Sequence, residues 1–395
     1  MAPTGKYREI VTAVRDQLAA GIYRNGDRIP SENQLAMRFG VSRPTAARAL
    51  RELAAAGLVE RRAGSGTYVR HPEVEREAST KTFGLLVPGL GATEIFDPIC
   101  TEITRVCQEE GSVVLWGDAA RRGKPPRPGD DALEVDRLCR YYLERRVDGV
   151  FFAPLEASAE REAENIRVAA ALRDAGVAVV LLDRDVLEFP GRSEFDLVGI
   201  DNFQAGIHLA EHLLRVGHRR LIFFARPHHP STTDLRAAGC REALRRAGSE
   251  LADSDAFQHS GDPSDEASLR ALMDSVRPDA IVCSNDLTAA LLVVALAHLG
   301  IHVPDGVAVV GFDDVKYSTL LSVGLTTMRQ PYHGLARVAV RAMNDRAREP
   351  DLDPRQLLLN AELIVRQSCG TAREHVENGG RLGDPGAVRA PQHNI

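Results

Sequence analysis

No apolar run in this 395-residue sequence approaches the roughly 20 residues that a membrane-spanning helix needs. The opening stretch MAPTGKYREI has no signal-peptide core, so the protein is expected to work in the cytoplasm, away from membranes. Cysteine is sparse and unpaired: positions 100, 107, 139, 240, 283 and 369 stand singly in apolar or helical stretches, with no CxxC. That spacing reads as buried reduced thiols and speaks against zinc and disulfide frameworks. The sequence also lacks a GxGxxG phosphate fingerprint, a nucleophile elbow and an HExxH helix. An enzyme, a resident cofactor and a metal centre are therefore not expected.

What is present is ordinary globular composition, 44% hydrophobic and 26% charged, with enough length for two or three cores. The net charge of −6 conceals an asymmetry. Residues 1–70 hold 12 Lys/Arg against 6 Asp/Glu, whereas the remainder holds 37 against 49. A basic head on an acidic body points to a polyanion as the partner of the head.

Within the head, Ile10, Val14 and Leu18 recur at four-residue spacing, one stripe of an amphipathic helix. Ser31 reads as the N-cap of a second helix, with Leu35 and Phe39 inside and Gly40 as its stop. A third helix, about 42–56, is capped by Ser42 and packs Ala46, Ala49, Leu50 and Leu53. LVERR and TYVR around AGSG form two short strands with a glycine-rich turn. Three helices followed by a hairpin outline a winged helix-turn-helix over residues 1–70. Arg43 and Thr45 occupy the first turn of the third helix, Arg48 points away from its apolar stripe, and Gly64 and Gly66 let the hairpin backbone approach a groove or phosphates closely.

Residues 71–81 are polar, contain a proline and read as a linker. From Thr82 apolar strand candidates alternate with helical stretches: 83–88, 112–117, 148–154, 177–183, 197–201, 220–225, 280–286 and 307–314. Their number suits an α/β body of two doubly wound lobes with parallel sheets, spanning 82–369 and taking a ligand at the carboxyl ends of its strands. Residues 121–131 read as an exposed loop, and the Gly-, Pro- and charge-rich stretch 370–395 as a disordered tail.

Both halves resemble known families. RIPSENQLAMRFGVSRPTAARALRELAAAGLVERRAGSGTYV (28–69) resembles the GntR-type winged helix through its PSE–LA, VSRxT, L–x(4)–GL and GxGTxV segments. The resemblance implies that Arg43 contacts DNA with Ser42 and Thr45 assisting and Gly66 in the wing. Ser31, Arg48, Gly64 and Thr67 complete the candidate DNA-binding set. The chain departs from the family at Asn33 and Ala47, where members often carry Arg.

In the body, polar residues follow strand ends: Asp183-Arg184, Asn285-Asp286, Asp313-Asp314 and Gln330, with Arg236 on a helix after FFARPHH. Such groups suit vicinal hydroxyls, although any one of them also fits a turn or cap, Asp286 in particular. LVGIDNFQAGIHLAEHLLRVGHRRLIFFA, AIVCSNDLTAALLVVALAHLGIHVPDGVAVVGFDD and LTTMRQPYHGLARVAVRAM resemble the LacI/GalR sensor, a periplasmic-binding-protein-like domain. The resemblance carries effector contact onto Arg184, Arg236, Asn285, Asp313 and Gln330, with Phe96 as a stacking face. A GntR-type head on a LacI-type body is the arrangement of arabinose repressors, which makes a pentose plausible. It implies a homodimeric repressor of double-stranded operator DNA, released by a small molecule, in the first instance a sugar. Release by a non-sugar metabolite, or the opposite sign of response, is left open by the residues.

Overall fold

The computed structural model describes residues 6–19, 23, 26–55, 58–62, 65–69, 80–88, 95–117, 130–156 and 159–370. The chain divides into two compact units at Thr80/Lys81. Most of the expected linker, 71–79, and the tail beyond Gly370 lie outside the described residues. Lys81 is not linker: its Nζ donates to Asn344 Oδ1 at 3.0 Å, and its carbonyl accepts from Val113 N. Gly370 likewise belongs to the body, since its N–H closes the turn Gln367–Cys369 onto Gln367 O.

The first unit holds α1 (Lys6–Ala19), α2 (Glu32–Phe39), α3 (Arg43–Ala55) and the antiparallel pair β1 (Val59–Arg62) and β2 (Gly66–Val69). Its core is the expected one: Ile10, Val14, Leu35, Ala46, Ala49, Leu50 and Leu53 are all buried, while the Leu18 side chain lies outside the described residues. Ser31 and Gln34 form a capping box, Ser31 N donating to Gln34 Oε1 at 2.8 Å and Gln34 N to Ser31 Oγ at 3.4 Å. The sheet is wider than the two strands read from the sequence. Ile29 N donates to Thr67 O, Val69 N to Asp27 O and Gly26 N to Val69 O, so residues 26–29 flank β2 on its other side.

In the second unit one lobe is built from β3 (Thr82–Leu86), α4 (Phe96–Glu109), β4 (Val113–Trp116), α5 (Asp130–Glu144), β5 (Gly149–Phe152), α6 (Ala159–Asp174), β6 (Ala178–Leu182) and β7 (Asp196–Ile200). The chain then crosses to α7 (Asn202–Val216), β8 (Leu221–Ala225), α8 (Ser231–Arg246), β9 (Gln258–Ser260), α9 (Glu266–Val276), β10 (Ala280–Cys283), α10 (Asp286–His298), β11 (Ala308–Asp313), α11 (Tyr317–Leu320) and β12 (Thr326–Arg329). It returns through α12 (Tyr332–Arg348) and β13 (Gln356–Leu359) and crosses once more to β14 (Glu362–Ile364). Strand orders are β13-β7-β6-β5-β3-β4 and β14-β12-β11-β10-β8-β9, parallel except for β14 on β12. Each lobe thus repeats the doubly wound order in which the second strand lies outside the first, with carboxyl ends as the ligand edge.

Apart from the edge strand β4, the apolar strands are buried on both faces because successive side chains enter different cores. Phe151 joins one cluster with α4 and α12, whereas Val150 and Phe152 join another under α5 and α6. Phe223 and its neighbours Ile222 and Phe224 divide in the same way in the second lobe. All six cysteines are buried thiols. Burial pushes the Cys107 thiol up to about 12 and raises Cys139, Cys240 and Cys283 as well. Such thiols stay protonated and unreactive.

Candidate functional site

In the head, one carboxylate holds two of the exposed cations. Glu32, at the start of α2, accepts from Arg43 Nε at 3.2 Å on one oxygen and from Arg61 Nη2 on the other. Arg43 remains 70% exposed along its side chain. Held through Nε, it keeps its Nη groups for an outside acceptor, the fork geometry that suits guanine or phosphate. Ser42 Oγ and Thr45 Oγ1 lie 2.8 Å apart beside it. Arg48 is exposed but stacks its guanidinium 4.2 Å from the Tyr7 ring centroid on α1. Ser31 is committed to its capping box. Gly66 has φ +134, and a Cβ there would lie 2.7 Å from Arg28 Nε, so the wing requires glycine. Thr67, grouped with the DNA-binding set by its place in the wing, is buried at 7% exposure because alternate residues of β2 turn inward. Gly64 lies outside the described residues.

In the body a cavity of about 550 Å³ opens between the carboxyl ends of the two sheets. Phe96, Arg184, Arg236, Asn285 and Asp313, from α4, the end of β6, α8, the end of β10 and β11, share its wall. Five of the six residues expected to meet an effector are thereby brought together from both lobes. Gln330 stands behind them: it is buried, is not part of the wall, and donates through Nε2 to Asp313 Oδ1 at 2.9 Å.

Arg236 is the hub of this arrangement. Its Nε donates to Asn202 Oδ1 (2.8 Å), Nη1 to Ser284 O (2.7 Å) and Nη2 to Asp313 Oδ1 (3.2 Å), and the guanidinium lies 4.7 Å from the Phe312 ring centroid. Its position depends on the close pairing of α7 with α8. A Cβ on Gly206 would fall 2.2 Å from Arg236 O. Because Arg236 and Gln330 both bond Oδ1 of Asp313, Oδ2 is left for a ligand. Asn285, not Asp286, caps α10, its Oδ1 accepting from Thr288 N and Oγ1, which leaves the Nδ2 donors. Asp286 is fully buried and accepts instead from Thr327 Oγ1 (2.6 Å) and Val315 N (3.0 Å). Burial and the nearby Asp313 raise its pKa well above the ordinary carboxylate value.

Sequence reasoning passed over three features of this wall. Asp183, His228 and Asp313 all hold positive φ (+69, +56 and +105) and all line the cavity, a concentration of backbone strain typical of binding sites. Asp183 is buried with Oδ1 unpartnered, and burial, opposed by Arg184 and Arg236, raises its pKa. Arg184 is 6% exposed with Nε and Nη1 unbonded, and its guanidinium carbon lies 5.7 Å from the Phe96 ring centroid. The positive-φ aspartates give no sequence signal beyond their place after apolar strands. Among the described residues no group of His, Cys, Asp and Glu could hold a metal ion, and no helix is long and apolar enough to cross a membrane.

Comparison with known proteins agrees with this division. Residues 6–69 match the bacterial regulatory proteins of the gntR family, and residues 210–369 match the periplasmic binding protein-like domain. The arabinose metabolism transcriptional repressor of Geobacillus stearothermophilus is 27% identical over 374 residues, covering 92% of this chain and 97% of that one. The HTH-type transcriptional regulator CelR of Thermobifida fusca is 31% identical over 244 residues, 61% of this chain and 68% of that one. Among solved structures, a CelR–cellobiose complex superposes with a TM-score of 0.60 at 25% identity, over 86% of this chain and 100% of that one. A LacI-family regulator from Enterococcus faecium with bound ribose shares the fold, with a TM-score of 0.56 at 20% identity over 73% of this chain and 98% of that one. The named relatives are transcriptional repressors and regulators. The chain belongs to the family of transcriptional regulators that join a GntR-type winged helix to a periplasmic-binding-protein-like sensor domain.

Proposed function

We propose that the protein is a transcriptional repressor whose head grips operator DNA as a homodimer and whose cleft takes a sugar that releases it. The observation that carries the reading is the convergence of Asp313 Oδ2, Asn285 Nδ2 and the unbonded Arg184 donors on one 550 Å³ cavity walled by both lobes. Carboxylate, amide and guanidinium can bracket vicinal hydroxyls, and Phe96 supplies an apolar surface for a pyranose or furanose face. The names of the relatives support a sugar, since they include repressors of arabinose metabolism and of a ribose operon.

In the head, Arg43 reads the major groove from the first turn of α3 with Ser42 and Thr45 beside it, while Arg61 and the backbone at Gly66 meet the DNA backbone. Arg48, stacked on Tyr7, supports phosphate contact at the edge of the same helix. Two heads set about one DNA turn apart address a pseudo-palindrome. A ligand bonded to Asp313 on one lobe and Arg184 on the other favours one lobe angle, and that preference is transmitted to the heads through the dimer. Isothermal titration with pentoses and hexoses, on wild type and on Asp313→Ala, tests the reading. Sugar heat in the wild type that is lost in the variant supports it. Equal affinities remove Asp313 from the site.

A further inference from the structure

One end of the cleft gathers cationic donors that the protein leaves without hydrogen-bond acceptors. Arg184 is 94% buried, yet the carboxylates nearest its unbonded donors are Asp183 Oδ2 at 3.4 Å from Nε and Glu156 Oε1 at 3.6 Å from Nη1. A buried guanidinium without a bonded acceptor is costly, so the site is incomplete as it stands.

A second feature converges on the same space. The 16-residue helix α8 begins at the cavity wall with Thr232 and Thr233, and Pro230 at its cap offers no side-chain acceptor. Its N-terminus therefore directs partial positive charge toward the ligand. Asp234 in that first turn lies 3.9 Å from His229 and is not part of the wall. Arg226 and His228, both exposed, add donors from the loop before α8. Four carboxylates share the wall with these donors, and Asp183 and Glu156 are the ones beside Arg184. Asp313 is engaged by Arg236, Asp183 leaves its Oδ1 unbonded, and Glu156 and Asp262 stand at the wet edge.

Resting on the reading of the cleft as the effector site, we propose that the effector is a polyol carrying one anionic group, a carboxylate or a phosphate, seated between Arg184 and the N-terminus of α8. Its hydroxyls then face Asp313 Oδ2 and Asn285 Nδ2. A sugar acid and a sugar phosphate share this chemistry.

The test is isothermal titration of the full-length protein with matched trios: glucose, glucuronate and glucose 6-phosphate, and arabinose, arabinonate and arabinose 5-phosphate. An anionic member of one trio is expected to bind at least about tenfold tighter than its neutral counterpart. The tighter member identifies carboxylate or phosphate as the group. That preference should collapse in Arg184→Gln, and the anion's affinity should fall as salt rises from about 0.05 to 0.3 M while a neutral sugar's does not. Arg226→Gln, at an exposed position, should weaken the anion selectively and serves if the buried substitution prevents folding. A neutral sugar that binds as tightly as its anionic partners, or an anion affinity indifferent to salt, overturns the inference and leaves the cleft reading standing. No heat from any member of either trio overturns both.

Discussion

Asp313 is where position and chemistry meet most closely. Its carboxylate is held by Arg236 and Gln330, its carbonyl by Tyr332 Oη at 2.9 Å, and its backbone sits at φ +105. Asp313→Ala removes one charged partner from a desolvated site, which costs about 1.5–3 kcal/mol, or roughly tenfold to a hundredfold in effector affinity. The variant should bind operator and fail to be released, as read by gel shift with and without effector. Asp314, one residue on, behaves differently. It accepts from Arg329 Nε (2.7 Å) and Ser318 Oγ (2.8 Å) and pairs with Arg366 (2.8 Å), and these partners outweigh burial and lower its pKa. Asp314→Ala is expected to lower the melting temperature while leaving effector affinity within about twofold. In the head, Arg43→Ala should cost about 1–3 kcal/mol of operator binding and leave the circular dichroism spectrum unchanged. Unaltered gel-shift affinity at physiological salt would remove Arg43 from the interface.

At the scale of elements, Asp196 ties β7, α12 and β13 together within the first lobe. This fully buried carboxylate on β7 accepts from Arg346 of α12 and from the side chain and N–H of Arg355 at the start of β13. Burial opposes its charge, but the two arginines outweigh burial and lower its pKa. A depressed carboxylate contributes stability above its unfolded value of about 3.9, and that contribution is lost as pH falls through the folded value. Asp196→Asn should destabilise the body by about 3–5 kcal/mol near pH 7. The gap to wild type should narrow as urea melts are repeated toward and below about pH 4. The last two strands are where sequence reading ended. Seven buried strands and the edge strand β4 were legible because they carry apolar runs rich in Val, Ile, Leu and Phe. β13 and β14 are short, edge-placed and half-exposed, so they carry no comparable apolar run. Asp286 fits the α10 cap on sequence alone, because Asn and Asp serve equally well at such positions. Only the fold shows that Asp286 points into the protein and Asn285 takes the cap.

For the whole molecule, one head offers few base contacts, so specific binding calls for two. Light scattering is expected to give a dimer at micromolar concentration without DNA. A stable monomer that still binds operator tightly would contradict this. The two-domain plan and five positions of the cleft wall were legible, since strand-end polar residues after apolar runs identify the ligand edge of a doubly wound sheet. The unsatisfied donors of Arg184 and the inward turn of Thr67 were not, because both depend on what surrounds them in three dimensions.

On the proposed function, one ligand in the cleft and one DNA on the heads oppose each other through the same molecule. Linkage makes this a single measurement, operator affinity with and without saturating effector, closed by effector affinity with and without operator. A coupling of about 1–3 kcal/mol predicts that each ligand weakens the other by the same factor, roughly 5- to 150-fold. An effector that binds the cleft and leaves operator affinity unchanged would contradict the account.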